Sequence, residues 1–180
     1  MNFDWTILQW IQENLRCAAL DFLMPKITML GNSGMIWIAI ALVMLCTKKY
    51  RKHGIILLVG LLVGLLVGNI CLKNLVARAR PCWIDPTVPL LIGNPTDYSF
   101  PSGHTLSSVI AATILYDTDK RFGIPAIILA VLIAFSRLYL YVHFPTDVLA
   151  AALLGVLIGK LLHRWHDERG AGPRIKTNIE

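Results

Sequence analysis

Residues 54–72 read GIILLVGLLVGLLVGNICL, an uncharged run bounded by His53 and Lys73. Its length approaches the roughly 20 apolar residues a helix needs to cross a bilayer. Gly60, Gly64 and Gly68 recur at every fourth position, so they share one helix face and let another backbone approach closely in lipid. Ala126, Ala130 and Ala134 repeat the spacing, as do Ala151, Gly155 and Gly159. The pattern predicts membrane helices whose small-residue faces pack the second, fourth and fifth spans into a compact bundle. Use of one such face in a dimer is the alternative.

Composition extends this reading to the whole chain. Of 180 residues, 56% are hydrophobic and only 16% charged, against about a quarter charged in a soluble domain. An ordinary soluble enzyme is excluded. The net charge of +6 is gathered in short segments between apolar runs, which marks membrane topology and not a nucleic-acid surface. The expected fold is all-α, a polytopic transmembrane helix bundle forming a single integral membrane domain over residues 1–180. Spans are expected at Ile27–Thr47 (with a break at Gly31-Asn32-Ser33-Gly34), Gly54–Leu72, Ser102–Tyr116, Gly123–Tyr141 and Pro145–Leu162. Residues 3–22 read as an amphipathic helix, with Ile7, Leu8, Ile11, Leu15, Ala18, Ala19 and Phe22 on one side and Gln9, Glu13 and Arg16 opposite. Trp5 and Trp10 suit headgroup level, so this helix is expected to lie on the membrane. If it crosses instead, the spans number six. Asp4 and Glu13 stand where a cleavable signal would carry a basic leader.

Lys48-Lys49-Tyr50-Arg51-Lys52 is the densest basic cluster, and by the positive-inside rule it is cytoplasmic. Alternation then puts Asp117–Arg121 and the tail, residues 163–180, on the same side. The expected setting is the cell (inner) membrane, with a long loop, 73–104, and a short one, 142–146, both extracytoplasmic. Pro81, Pro86, Pro89 and Pro95 make the long loop an ordered excursion and not another span. Cys17, Cys46, Cys71 and Cys82 show no metal-ligand spacing. A Cys17–Cys82 bridge would require both to face outside.

Three polar clusters fall at the outer ends of the spans. Lys73 is followed after six residues by Arg80-Pro81. On one helix these cations would stand two turns apart, about 10 Å, with Pro81 ending the helix. They would hold an oxyanion between them, Arg80 by its planar fork. Arg78 lies off that face and reads as a snorkelling anchor. Pro101-Ser102-Gly103-His104 is a helix start, with Ser102 as cap and Gly103 admitting close approach. Its free amides and dipole favour an anion, with His104 at the rim. Ser136-Arg137 is followed after five residues by His143 and then, past Pro145, by Asp147. A carboxylate in reach of a histidine fixes the tautomer and leaves the other ring nitrogen free to attack. Each cluster alone has a plain structural reading as a cap or anchor. Together they place Lys73, Arg80, Arg137, two histidines and Asp147 on one side of a bilayer, where charges are costly and usually functional. That set suits displacement at phosphorus.

In order and spacing the three clusters resemble the signature of the type 2 phosphatidic acid phosphatase superfamily, which includes vanadium haloperoxidases and glucose-6-phosphatase. The resemblance covers residues 73–147. It implies a metal-independent lipid phosphatase without a cofactor, acting through a phosphohistidine at the extracytoplasmic face. His143 would be the nucleophile, Asp147 its orienting partner and His104 the general acid. Lys73, Arg80, Ser102, Gly103 and Arg137 would bind the phosphate. The expected substrate is a membrane lipid phosphate or diphosphate, undecaprenyl diphosphate first. Phosphatidylglycerophosphate, phosphatidic acid and lipid A phosphates are the alternatives, and haloperoxidase activity a remote one. A non-enzymatic anion-binding transporter or assembly factor would have no need of the His143–Asp147 pair. His53, His163 and His166 fall outside the pattern and read as solvated.

Overall fold

A computed structural model describes the backbone of residues 3–170 and side chains as far as Trp165. Among the described residues all regular structure is helical: α1 (Phe3–Asn14), α2 (Ala18–Leu30), α3 (Met35–Leu45), α4 (Arg51–Gly64), α5 (Lys73–Val76), α6 (Pro81–Ile84), α7 (Gly103–Thr118), α8 (Lys120–Tyr139) and α9 (Pro145–Gly170). The turns widen to π-helical form over Leu65–Leu72, joining α4 to α5 without a break. Such widening often marks a functional site in a long helix. Three stretches are long and apolar enough to cross a membrane: Arg51–Ile84, Lys120–Tyr139 and Pro145–Trp165. A fourth is the pair Ala18–Leu30 and Asn32–Leu45, bent by 44°. The bend falls at the expected glycine-flanked break, where Ser33 and Gly34 take left-handed backbone.

The small-residue faces pack differently from the expectation. Those of α4 and α9 do not chiefly meet each other; both close on α7. A β-carbon on Gly64 would lie 2.6 Å from Ile110 Cδ1, and one on Gly159 2.8 Å from Thr113 Cβ. Ala126 and Ala130 of α8 join the same core, with Leu106, Ile110 and Ile114 of α7 fully buried. In lipid the gain comes from van der Waals contact and not from leaving water, so bulky side chains seat in glycine and alanine holes. Spacing identifies the holes but not the helix that fills them. Trp37 of α3 ties into the same hub, its indole N–H donating to Ser108 Oγ at 3.0 Å.

Residues 3–22 are not one helix. α1 stops at Asn14, and Cys17 takes extended backbone (φ −154°) before α2 begins. Arg16 secures the turn by donating to Gln12 Oε1 and to the Pro89 carbonyl. The expected apolar stripe therefore breaks, leaving Phe22 exposed, while Leu8 and Ile11 pack with Tyr139, Leu140, Val142 and Phe144 over the ends of α8 and α9. Lys73 and Arg80 also do not share a helix. The helix ends at Ala77, which adopts left-handed φ of 46°, and Pro81 opens α6 instead of closing a helix.

Cys17 and Cys82 are free thiols, one exposed and one buried. His53 and His163 are not solvated as expected; they are partly buried and stacked, with ring centroids 6.0 Å apart. The side chains of His166, Arg169, Arg174 and Lys176 lie outside the described residues. Residues 163–170, read as tail, continue α9.

Candidate active site

α7 begins at Gly103 because Ser102 caps it, its Oγ accepting from the Thr105 amide at 3.4 Å. The short α8–α9 connection carries His143, and Pro145 at the head of α9 puts Asp147 in the first turn. The left-handed turn at Ala77 folds Arg80 back toward the Lys73 end of the long helix. These elements meet around one cavity of about 1140 Å³, lined by Lys73, Arg80, Asp97, Gly103, His104, Arg137 and His143. Met29, Ile38, Leu58, Leu61, Leu62 and Leu65 also line it, together with Thr28, Asn32, Ser33, Asn69 and Ser107. The cavity therefore brings charged groups and leucine side chains into one space.

His143 is fully buried. Its Nε2 faces Arg80 Nη1 at 3.2 Å, and since a guanidinium only donates, Nε2 accepts. Its Nδ1 stands 3.5 Å from Ser99 Oγ and 3.7 Å from Asp147 Oδ2. The favoured state is thus the neutral ring with its proton on Nδ1 and a lone pair on Nε2, the cavity side. Burial and then the charges of Arg80, Arg137 and Lys73 push the His143 pKa well below the usual 6.5. Asp147 is fully occupied: Oδ2 accepts from Ser99 Oγ at 2.5 Å and from the Phe144 amide at 2.8 Å, and Oδ1 from Arg78 Nη1 at 2.6 Å.

Asp97, in the loop after α6, lies between Lys73 and Arg80. One carboxylate oxygen meets Lys73 Nζ and the other lies 2.7 Å from Arg80 Nη2, while the Asp97 carbonyl accepts from Arg80 Nε at 2.6 Å. Burial alone would raise its pKa, but the Lys73 hydrogen bond and the Arg80 charge hold it down at about 2. Arg137 is buried, donates to Thr28 Oγ1 at 2.6 Å, and keeps Nε without a partner. His104 Nε2 lies 2.9 Å from Asn32 Oδ1, an acceptor that selects the tautomer protonated on Nε2.

Of the residues expected at the site, Lys73, Arg80, Gly103, His104, Arg137 and His143 line one cavity. Asp147 stands behind His143. Ser102, expected to bind the phosphate, does not line the cavity: it is fully buried, its amide donating to the Asp147 carbonyl at 3.3 Å and its hydroxyl engaged with Thr105. Arg78 is not a snorkelling anchor: it bonds Asp147, Thr146 and Asp4. Asp97, Ser99 and Asn32 carry no motif signal; each reads as an ordinary loop or turn residue until its partner is seen.

Comparison with known proteins follows the same lines. Residues 53–171 match the PAP2 superfamily. An undecaprenyl-diphosphatase of Sulfolobus acidocaldarius is 37% identical over 163 residues, spanning 89% of this chain and 77% of the relative. Undecaprenyl-diphosphatase BcrC of Bacillus subtilis is 29% identical over 83% of this chain and 77% of its own length. Among solved structures, the PAP2-type phosphatidylglycerolphosphate phosphatase of Bacillus subtilis aligns with TM-score 0.76 at 30% identity, covering 96% of this chain and 87% of that one. Aquifex aeolicus LpxE aligns with TM-score 0.80 at 26% identity, covering 91% and 96%. Motif order, helix arrangement and these similarities all lead to one assignment: the chain is a membrane protein that belongs to the PAP2 superfamily.

Proposed function

We propose that the protein is a lipid phosphatase that removes the terminal phosphate of a polyprenyl diphosphate, undecaprenyl diphosphate being the favoured substrate. The observation that carries this reading is one cavity lined both by Lys73, Arg80, Arg137 and His143 and by Leu58, Leu61, Leu62 and Leu65. In this reading a phosphoryl group takes the place of the Asp97 carboxylate beside Lys73 and Arg80, and the hydrocarbon chain lies along Leu58, Leu61, Leu62 and Leu65. The names of the two diphosphatase relatives support the diphosphate over a monoester.

In this reading the chain crosses the membrane five times: α2 with α3, then α4 through α5, then α7, α8 and α9. The sixteen residues of α7 rise roughly 24 Å, short for a bilayer, which sinks the phosphate site below the interface. The basic residues at 48–52 and 120–121 mark the cytoplasmic ends. The cavity then opens on the extracytoplasmic side of the cell membrane.

His143 Nε2 attacks the terminal phosphorus, and the bridging P–O bond breaks. His104, entering the step as the imidazolium, gives one proton to the departing oxygen and becomes the neutral ring, releasing the lipid monophosphate. Water, deprotonated by His104, then attacks the phosphohistidine, freeing inorganic phosphate and restoring the ring. Lys73, Arg80, Arg137 and the Gly103 amide hold the equatorial oxygens as charge develops. Asp147 fixes the Nδ1–H tautomer and stabilises the cationic ring.

The test is phosphate release by purified protein from undecaprenyl diphosphate, phosphatidylglycerophosphate, phosphatidic acid and a lipid A phosphate, with His143→Ala as control. The expected result is at least tenfold higher kcat/KM on the polyprenyl diphosphate and no turnover by the variant. Release from none of them refutes the phosphatase reading; equal activity in the variant refutes the phosphohistidine.

A further inference from the structure

Two charged residues outside the cavity are bonded to the turn that carries His143. Arg78 Nη1 donates to Asp147 Oδ1 at 2.6 Å and to Thr146 Oγ1 at 2.8 Å, and its Nη2 donates to Asp4 Oδ2 at 2.7 Å. Asp4 also accepts from the Thr146 amide at 3.0 Å and from Thr146 Oγ1 at 2.7 Å. That amide is one of the unpaired donors at the head of α9, so a carboxylate of α1 caps the helix that bears Asp147. The neighbouring rings repeat the connection. Trp5 meets Phe144 edge-on with centroids 5.1 Å apart, and the Arg78 guanidinium lies 4.0 Å over the Phe144 ring.

We propose that Asp4, acting through Arg78, is a positioning residue for the His143–Asp147 pair. The inference rests on the phosphohistidine reading above and adds to it the role of α1. Asp147 Oδ2 is held by Ser99 and the Phe144 amide, but the one donor to Oδ1 among the described residues is Arg78. Arg78 therefore sets the rotation of the carboxylate that orients His143. A guanidinium is a rigid fork, and its other prong is held by Asp4. A surface ion pair would leave Asp4 solvated and mobile. Instead Asp4, in the first turn of α1, is only 8% exposed, and a carboxylate is kept so far from water only where its bonds are made. A misplacement of about 1 Å behind a reacting group is enough to cost up to a hundredfold in rate.

The experiment is a double-mutant cycle on the full-length protein, with Asp4→Asn, Arg78→Gln and the pair, scored by kcat and KM on the lipid substrate. Asp4→Asn is expected to lower kcat about tenfold with KM within twofold, because Asp4 touches no part of the cavity. Arg78→Gln is expected to lower kcat about thirtyfold. In the Arg78→Gln background Asp4→Asn is expected to cost less than twofold, since the connection is already cut. Loss of folded protein would instead lower activity by the same factor in both backgrounds. Effects that multiply overturn the proposal and leave the phosphohistidine reading standing; a parent protein that hydrolyses no lipid phosphate overturns both. Arg78→Lys serves as a second arm should Asp4→Asn fail to fold. An ammonium cannot bridge two carboxylates as a fork does, so its kcat should fall with that of Arg78→Gln, and a parental kcat would overturn the proposal.

Discussion

Asp97→Asn is the substitution that separates binding from stability in this site. Asp97 bridges Lys73 and Arg80, and on the proposed function an incoming phosphoryl group takes its place. The carboxyl is lowered from 3.8 to about 2, which at about 1.36 kcal/mol per unit corresponds to roughly 2.4 kcal/mol of preference for the charged form. Its side chain is 56% exposed, and solvent screening reduces that figure to about 1 kcal/mol. Asparagine keeps the backbone carbonyl that accepts from Arg80 but removes the charge and one of the two side-chain oxygens that accept from Lys73 and Arg80. KM for the lipid, and the Ki of inorganic phosphate, should therefore fall roughly fivefold. The ligand-free protein should lose about 1 kcal/mol and melt about 2–4 °C lower, with the loss recovered when phosphate is added. The sign with pH follows from the lowered pKa. The contribution of Asp97 is fully present above the ordinary carboxyl value and is lost as pH falls toward 2, so parent and variant should differ by a constant factor from roughly pH 5 upward. Detergent-micelle kinetics and a phosphate titration of melting temperature measure both quantities. A KM that rises, with the melting temperature unchanged, would show that Asp97 organises the cations for substrate and does not compete with it.

His143→Gln should lower turnover by about 10⁴-fold or more and abolish acid-labile labelling of the protein by radioactive substrate; labelling that persists would place the nucleophile elsewhere. Hydrolysis should survive a chelator such as EDTA, because Lys73, Arg80 and Arg137 supply the positive charge, and strict magnesium dependence would contradict that role. Vanadate should inhibit competitively by imitating five-coordinate phosphorus, and insensitivity at millimolar concentration would count against the cavity as the phosphoryl site. The lowered pKa of His143 keeps the ring neutral through the physiological range, so the acid limb of kcat/KM should lie below pH 6.5. The stability that depends on this neutral buried ring is present above 6.5 and lost as pH falls through the lowered value. His143→Gln should accordingly flatten the acid loss of melting temperature between about pH 7 and 5.

The parts of this protein that declared themselves in sequence are those whose chemistry is improbable in a membrane. An uncharged run with glycine every fourth position leaves little but a packed span, and cations beside histidines at span ends have few uses. The partners of those residues were not legible. Asp4 is separated from Asp147 by most of the chain, and its place in the first turn of α1 reads as ordinary dipole matching. Arg78 differs from a snorkelling anchor only in having carboxylates within reach, which three-dimensional structure alone reveals. Asp97 sits in a proline-rich polar loop where an acidic residue normally faces water. The central position of α7 was hidden for another reason. Small residues announce that something packs closely, but Leu106, Ile110 and Ile114 look like any other apolar face until the holes they fill are seen.

Charge balance accounts for why the loop acid and the N-terminal acid are both needed. Lys73, Arg78, Arg80 and Arg137 bring four cations to a poorly solvated region, and the interaction of like charges there is several times stronger than in water. Without internal counter-ions such a cluster would resist folding until substrate arrived. Asp4 and Asp147 neutralise Arg78 from either prong, which removes it from the phosphate site and leaves it to hold geometry. Asp97 neutralises Lys73 and Arg80 from an exposed loop, where the carboxylate can swing toward water at little cost. Arg137 is left with Thr28 as its hydrogen-bond partner and a buried Nε without one. The counter-ion meant to stay is therefore buried and held by several bonds, and the one meant to leave is half-exposed. On the proposed function, a phosphoryl dianion that displaces Asp97 meets Lys73, Arg80 and Arg137, and its binding is an exchange of one anion for another of higher charge.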